Sequence, residues 1–176
     1  MTRSLHRVDV ARPSEANYGR ARTPSLVERE SLMDRTFTIV ERVATVAELR
    51  SLARAVGWDD HFDWDTMQSA LDGSLHGAVA VCDGHVLGAG RLVGDGSRYF
   101  YVQDVIVHPD ASADGLATRL VDRLLTWVRH TAGHSAIVGL FSSPDAVGVY
   151  SSLGFVPASE DPVGMTQQLK GGSDAG

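Results

Sequence analysis

The chain has 176 residues, 43% of them apolar and 22% charged, with a formal net charge of −6 at neutral pH. That length suits one domain with a full hydrophobic core and is short for two. The acidic balance argues against nucleic acid as a partner, since a phosphate-binding face needs clustered Lys and Arg, and no stretch approaches the roughly 20 apolar residues of a membrane span.

Lys170 is the single lysine; every other basic residue is arginine. Cys82 is the only cysteine, which excludes a disulfide within one chain. It ends the apolar run Ala78-Val79-Ala80-Val81-Cys82 and reads as a buried structural thiol. The histidines carry no recognised zinc signature, so no metal is expected. Arg3 and Arg7 precede no apolar signal-peptide core, and a cytoplasmic location is expected.

Residues 1–34 hold Pro13 and Pro24 and no sustained apolar period. Through Arg35 the chain has seven Arg against five acids, whereas the remainder has nine bases against seventeen acids. This segment reads as a disordered or loosely docked extension, with Met33 a possible natural start. Residues 35–170 read as the folded domain and 171–176 as a flexible tail.

The folded part opens with a strand over 37–43, β-branched and aromatic. Thr45-Val46-Ala47-Glu48 is a capping box, in which hydroxyl and carboxylate satisfy free amides at a helix start. Leu49, Leu52, Ala53 and Val56 give that helix one apolar face, and Gly57 ends it. Residues 58–62 form a loop, and a short second helix is predicted over 64–71 with Asp63 as its cap. Strands follow over 75–82, 86–93 and 99–107, the first two joined by the tight-turn pair Asp83-Gly84. Val102, Val105, Ile106 and Val107 place the third strand centrally in a sheet. An amphipathic helix over 115–131, a strand over 136–141, a helix over 144–153 and two final strands over 155–157 and 163–169 complete an α/β order βααβββαβαββ.

Two stretches carry a resemblance. Gly88-Ala89-Gly90-Arg91-Leu92-Val93-Gly94-Asp95-Gly96 followed by Val102-Gln103-Asp104-Val105-Ile106-Val107-His108-Pro109-Asp110, then Gly115-Leu116-Ala117 opening a helix, resembles the acyl-CoA-binding region of the GNAT superfamily of N-acyltransferases. Ala146-Val147-Gly148-Val149-Tyr150-Ser151-Ser152-Leu153-Gly154-Phe155 is similar to that superfamily's later helix with its tyrosine and Gly-Phe ending. The resemblance implies a GNAT fold, with a mixed sheet of six to seven strands and about four helices. It implies acetyl transfer from acetyl-CoA to a primary amine, in a protein of the small bacterial type. Homodimers are common among such relatives, so a homodimer is a possible assembly.

Independently of any family, a glycine at a strand-to-helix junction lets the backbone approach a ligand, and the helix start offers unpaired amides to a diphosphate. By resemblance, the amides around Ala113, Asp114, Gly115, Leu116, Ala117 and Thr118 hold the CoA diphosphate, and the main chain at Val105 and Val107 pairs with the pantetheine arm. The family's loop begins with Gln or Arg; here that position is Ser112, and Asp110 and Asp114 flank the cradle. An alternative follows: Asp114 fills the cradle, leaving a GNAT-fold binding module or a repurposed pathway enzyme.

Tyr150 matches the tyrosine assigned as general acid in relatives, with a packed aromatic as its structural alternative. Where some relatives carry a glutamate this chain has Gln103, leaving Asp104 as the nearest carboxylate: either the base, or a structural group holding a loop amide or Arg91. Water is the other route for the proton. His108 before Pro109 reads as a strand terminator. Trp58, Asp59 and Asp60, with Arg91, are the candidate acceptor-binding residues, because aromatics and carboxylates together suit a cationic amine.

Overall fold

A computed structural model describes residues 36–132 and 135–157. The chain divides into two compact units, Met1–Thr36 and Phe37–Gly176, and all described residues but Thr36 belong to the second. The expected extension over 1–34, the strand over 163–169 and the tail over 171–176 lie outside the described residues.

The second unit runs β1 (Thr38–Val40), α1 (Val46–Ala55), a 3₁₀ turn (Asp59–His61), α2 (Met67–Asp72), β2 (His76–Cys82), β3 (His85–Gly94) and β4 (Tyr99–Val107). A 3₁₀ turn (Pro109–Asp114), α3 (Leu116–Thr131), β5 (Ile137–Gly139), a third 3₁₀ turn (Pro144–Ala146) and α4 (Val147–Ser152) follow. The five strands stand in sequence order, antiparallel except for the parallel pair β4–β5. Parallel neighbours need a long crossover, which α3 supplies.

Among the described residues the sheet therefore has five strands, not the six to seven expected. Residues 155–157 are irregular: the Phe155 amide donates to the Tyr150 carbonyl, closing the end of α4 instead of joining a strand. The second helix also starts later than predicted, at Met67. The Trp64 indole donates to the Asp59 carbonyl at 2.9 Å, and Asp63 accepts from the Asp65 amide at 3.2 Å, so residues 63–66 are held as a turn.

The capping box is formed as read. The Glu48 amide donates to Thr45 Oγ1 at 3.2 Å and the Thr45 amide to Glu48 Oε2 at 2.8 Å. Two cores result, one on each sheet face. Leu116, Leu120, Val121, Leu124 and Val128 of α3 pack with Ala78, Ala80, Leu92, Phe100 and Val102. On the other face Leu49, Leu52 and Ala53 of α1 and Met67 and Leu71 of α2 pack with Val79, Ala89 and Ile106. Gly88 and Gly90 let α3 lie close: a Cβ there would come within 3.0 Å of Leu120 Cδ1 and 3.3 Å of Leu124 Cδ1 respectively.

Candidate functional site

Strand β4 changes character halfway. Ala89 pairs with Ile106 and Arg91 with Gln103, so Asp104 and Val105 together oppose the single residue Gly90. This is a β-bulge, and Asp104 takes a left-handed φ of 51° within it. The extra residue switches which side chains face α3: Phe100 and Val102 before the bulge, Val105 and Val107 after it. Ile106 is thereby turned to the α1–α2 core.

On its other side β4 meets β5 at only three positions, Tyr99–Ile137, Phe100–Val138 and Tyr101–Gly139. Beyond Gly139 residues 140–143 leave the sheet for α4. Among the described residues, no strand pairs with this edge of β4 past Tyr101. The main chain of Val105 and Val107, expected to face the pantetheine arm, lies on the open half of the strand.

This open edge runs toward the start of α3. His108 Nδ1 accepts from the Asp110 amide at 3.3 Å and Ser112 Oγ donates to the Pro109 carbonyl at 2.8 Å, winding the 3₁₀ turn that enters the helix. His108 is thus at the strand's end, where its own amide still donates to Leu87. Gly115 sits at the N-cap with φ 64°, where a Cβ would meet nothing within 4 Å among the described residues other than its chain neighbours. The first intrahelical bond is Arg119 amide to Gly115 carbonyl, which leaves the amides of Leu116, Ala117 and Thr118 without an acceptor in the helix. Ala113 and Asp114 belong to the preceding turn by their backbone; their side chains lie outside the described residues.

Tyr150, on α4, is half-buried and packs against the α3 core with Phe155 edge-on at 6.0 Å. Burial raises its phenol above the usual tyrosine range. Tyr101, the last β4 residue paired with β5, has its ring 5.7 Å from that of Phe141. Burial raises Tyr101 as well; the Phe141 amide opposes this, and the charge of a Tyr150 phenolate adds to it. The sequence reading missed Tyr101. Forty residues separate it from Phe141, and only its strand position, where β4 and β5 part, marks it.

Asp104 is closed in. Its side chain is 6% exposed, Oδ2 accepts from Arg91 Nε at 2.6 Å, and Oδ1 accepts from Gln103 Nε2 at 3.0 Å. Arg91, expected at the acceptor, instead donates within the protein: besides Asp104, its Nη1 reaches the Ala70 carbonyl at 2.9 Å and Ser74 Oγ at 3.2 Å. The other acceptor candidates divide. Asp59 accepts from Arg50 at 3.3 Å and Arg54 at 3.1 Å. Burial pushes its carboxyl up, the two arginines pull it down, and the net shift is downward. The cation over the Trp64 ring is Arg50, 5.1 Å from the centroid. Trp58 and Asp60 remain exposed.

Among the described residues no three His, Cys, Asp or Glu side chains gather to hold a metal ion, and no helix is long and apolar enough to cross a membrane. His130 stands four residues before His134, a spacing used by helical metal sites. Its Nδ1 is 2.7 Å from the Thr126 carbonyl, and His134 lies outside the described residues.

A mixed sheet split between parallel strands, with a glycine-led helix start beyond the split, is the arrangement that the resemblance implies. The profile of the Acetyltransferase (GNAT) family matches residues 43–155. The chain belongs to that family. It is 29% identical to a GNAT-family acetyltransferase of Streptococcus pneumoniae, whose structure superposes with a TM-score of 0.66 over 77% of this chain and 99% of the other. An uncharacterized N-acetyltransferase, ycf52, of Gracilaria tenuistipitata var. liui is 26% identical over 67% of this chain. The L-amino acid N-acyltransferase MnaT of Escherichia coli is 35% identical over 39% of it. These matches span 65% and 40% of those two relatives' own lengths.

Proposed function

We propose that this protein moves the acetyl group of acetyl-CoA to a primary amine of a small molecule by direct attack. The observation that carries the reading is that the β4 edge, unpaired past Tyr101 among the described residues, runs on to the start of α3, against whose core Tyr150 packs. An extended amide-bearing arm suits the first and a diphosphate the second. Gly115, where a Cβ would meet nothing within 4 Å among the described residues other than its chain neighbours, fits this use. Ser112, Asp110 and Asp114 fit it less well, for they supply no positive charge, and two like charges about 4 Å apart repel by roughly 1 to 4 kcal/mol between water and the protein surface.

In the reaction the neutral amine nitrogen attacks the thioester carbonyl, the C–S bond breaks, and the departing thiolate takes a proton. A tyrosine whose phenol is kept protonated by burial is suited to give that proton, and this is the role of Tyr150. The proton shed by the attacking nitrogen passes through water and restores the Tyr150 phenol, since both Asp104 oxygens already accept hydrogen bonds. Trp58 and Asp60 are the exposed members of the acceptor loop. The amino-acid substrates in the E. coli relative's name make α-amines the first acceptors to try.

The test is a thermal-shift titration with acetyl-CoA and with CoA, followed by thiol release with a panel of amines. Stabilisation by both ligands and amine-dependent thiol release are expected. Tyr150→Phe should lower kcat by roughly 100-fold or more with acetyl-CoA affinity retained. Absence of binding to the wild type, restored in Asp114→Gly, would instead establish that Asp114 occupies the cradle and that the chain has left acyl transfer.

A further inference from the structure

We propose that Arg91 is a positioning residue: by clamping Asp104 in its left-handed bulge while holding the end of α2, it makes the open edge of β4 depend on where α2 sits. The idea rests on the acyl-transfer reading only for its kinetic arm.

A residue with a side chain at φ 51° in mid-strand is strained, even for aspartate, and persists only where its surroundings over-determine it. Here the over-determination is visible. Arg91 Nε and Gln103 Nε2 hold one Asp104 oxygen each, fixing the side chain and through it the backbone. The same guanidinium continues to the Ala70 carbonyl and Ser74 Oγ. Ala70 lies in the last turn of α2, where carbonyls lack helical donors and a cation is favoured. One planar side chain thus joins a helix to a strand across 13 and 21 residues of sequence.

The pair is largely enclosed. Arg91 and Asp104 side chains are 11% and 6% exposed. The void beside them, lined by Leu49, Leu71, Ala89 and Gly90, has a volume of about 10 Å³, which is at the lower limit for a single water. An amine acceptor does not fit there, so the pair acts through the backbone it holds. That backbone is the bulge that turns Val105 and Val107 toward α3 and sets the direction of the unpaired edge.

The experiment separates this role from general-base catalysis. Asp104→Gly and Asp104→Ala remove the same carboxylate and leave Arg91 equally unpaired, but only glycine accepts the left-handed φ without strain. Positioning predicts that Asp104→Gly keeps a kcat/KM roughly tenfold or more above that of Asp104→Ala, since small misplacements cost about 100-fold in rate. It also predicts that Asp104→Asn, with the carboxylate gone, keeps the wild-type pH–rate profile. Equal loss in Gly and Ala, or disappearance of the acidic limb in Asn, would overturn it.

A second arm needs no substrate. Hydrogen exchange in Arg91→Gln should rise together in peptides covering 67–75 and 102–107. Arg91→Lys, which keeps the charge and one contact but not the fork, serves if the glutamine variant does not fold; it should loosen 67–75 first. Faster exchange in only one of the two segments of Arg91→Gln would refute the coupling. If wild type neither binds nor turns over acetyl-CoA, the acyl-transfer reading falls, and the exchange arm alone decides the role of Arg91.

Discussion

The two faces of the sheet are held by different means. Against α3 the contacts are leucines and valines on small residues: Leu116, Leu120, Val121 and Leu124 are fully buried over Ala78, Ala80 and the glycines of β3. Against α1 and α2 an apolar core is fringed by arginines that each hold an acid: Arg42 on Glu48, Arg50 and Arg54 on Asp59, Arg91 on Asp104. Packing of the first kind is dense and indifferent to pH. Charge pairing of the second kind is directional, and exchanging one residue re-sets it.

The largest effect that would sharpen this contrast is at Leu124, fully buried on α3. Leu124→Ala should lower the unfolding free energy by about 3 kcal/mol through lost burial and the cavity left behind. The loss, read from urea midpoints, should be the same at pH 7 and pH 5. A strongly pH-dependent loss would deny that this face is purely apolar in its energetics.

On the opposite face the matching test is Glu48. Its hydrogen bonds from Arg42, both at 2.7 Å, together with those from Thr45 outweigh burial and lower its carboxyl to about 2. The carboxylate is therefore the favoured folded form. Its contribution is complete above the unfolded value of 4.5 and is lost as pH falls toward 2. The full linkage value would be about 3 kcal/mol. With Arg42 39% and Glu48 27% exposed, screening leaves about 1 kcal/mol. Glu48→Gln should cost that much at pH 7 and almost nothing at pH 2.5. A cost that does not shrink on acidification would assign the residue's value to the cap alone.

Helical periodicity in α3, the Asp83-Gly84 turn and, on the opposite face, the Thr45–Glu48 box were legible in the sequence because their determinants each lie within a few residues. The bulge was present only in disguise. The apolar positions of β4 change parity between Val102 and Val105, which the sequence reading took only as the mark of a central strand; the strand is central, and the parity change is the bulge. The Asp104–Arg91 pair was one of the two readings of Asp104, but the reach of Arg91 to α2 was hidden, since its partners there are a carbonyl 21 residues away and a hydroxyl, neither with a sequence pattern. The influence of Tyr150 on Tyr101 was hidden for the same reason. Trp64 shows the converse: read as the opening of a helix, it is pinned by a tertiary bond from its indole that keeps the chain in a turn.

The smallest effect tests a histidine packed at the edge of the α3 face. His76, at the start of β2, stacks on Trp127 of α3 with ring centroids 4.8 Å apart and planes 6° from parallel. Its Nε2 is buried without a hydrogen bond, and Glu41 stands 3.6 Å away, itself paired with Arg123 at 3.2 Å. Burial lowers the imidazole's pKa and Glu41 raises it, with the net shift downward. The folded state thus prefers the neutral ring. Stability from this site is complete above the unfolded value of 6.5 and declines as pH falls below it. His76→Phe keeps the stacked ring while removing both the titration and the unsatisfied nitrogen. It should be at least as stable as wild type at pH 7.5, and the gap in its favour should widen at pH 5.5. A gap that narrows on acidification would mean that the protonated ring gains more from Glu41 than it loses to burial. The α3 face would then be held by charge at this corner, as the opposite face is along its rim.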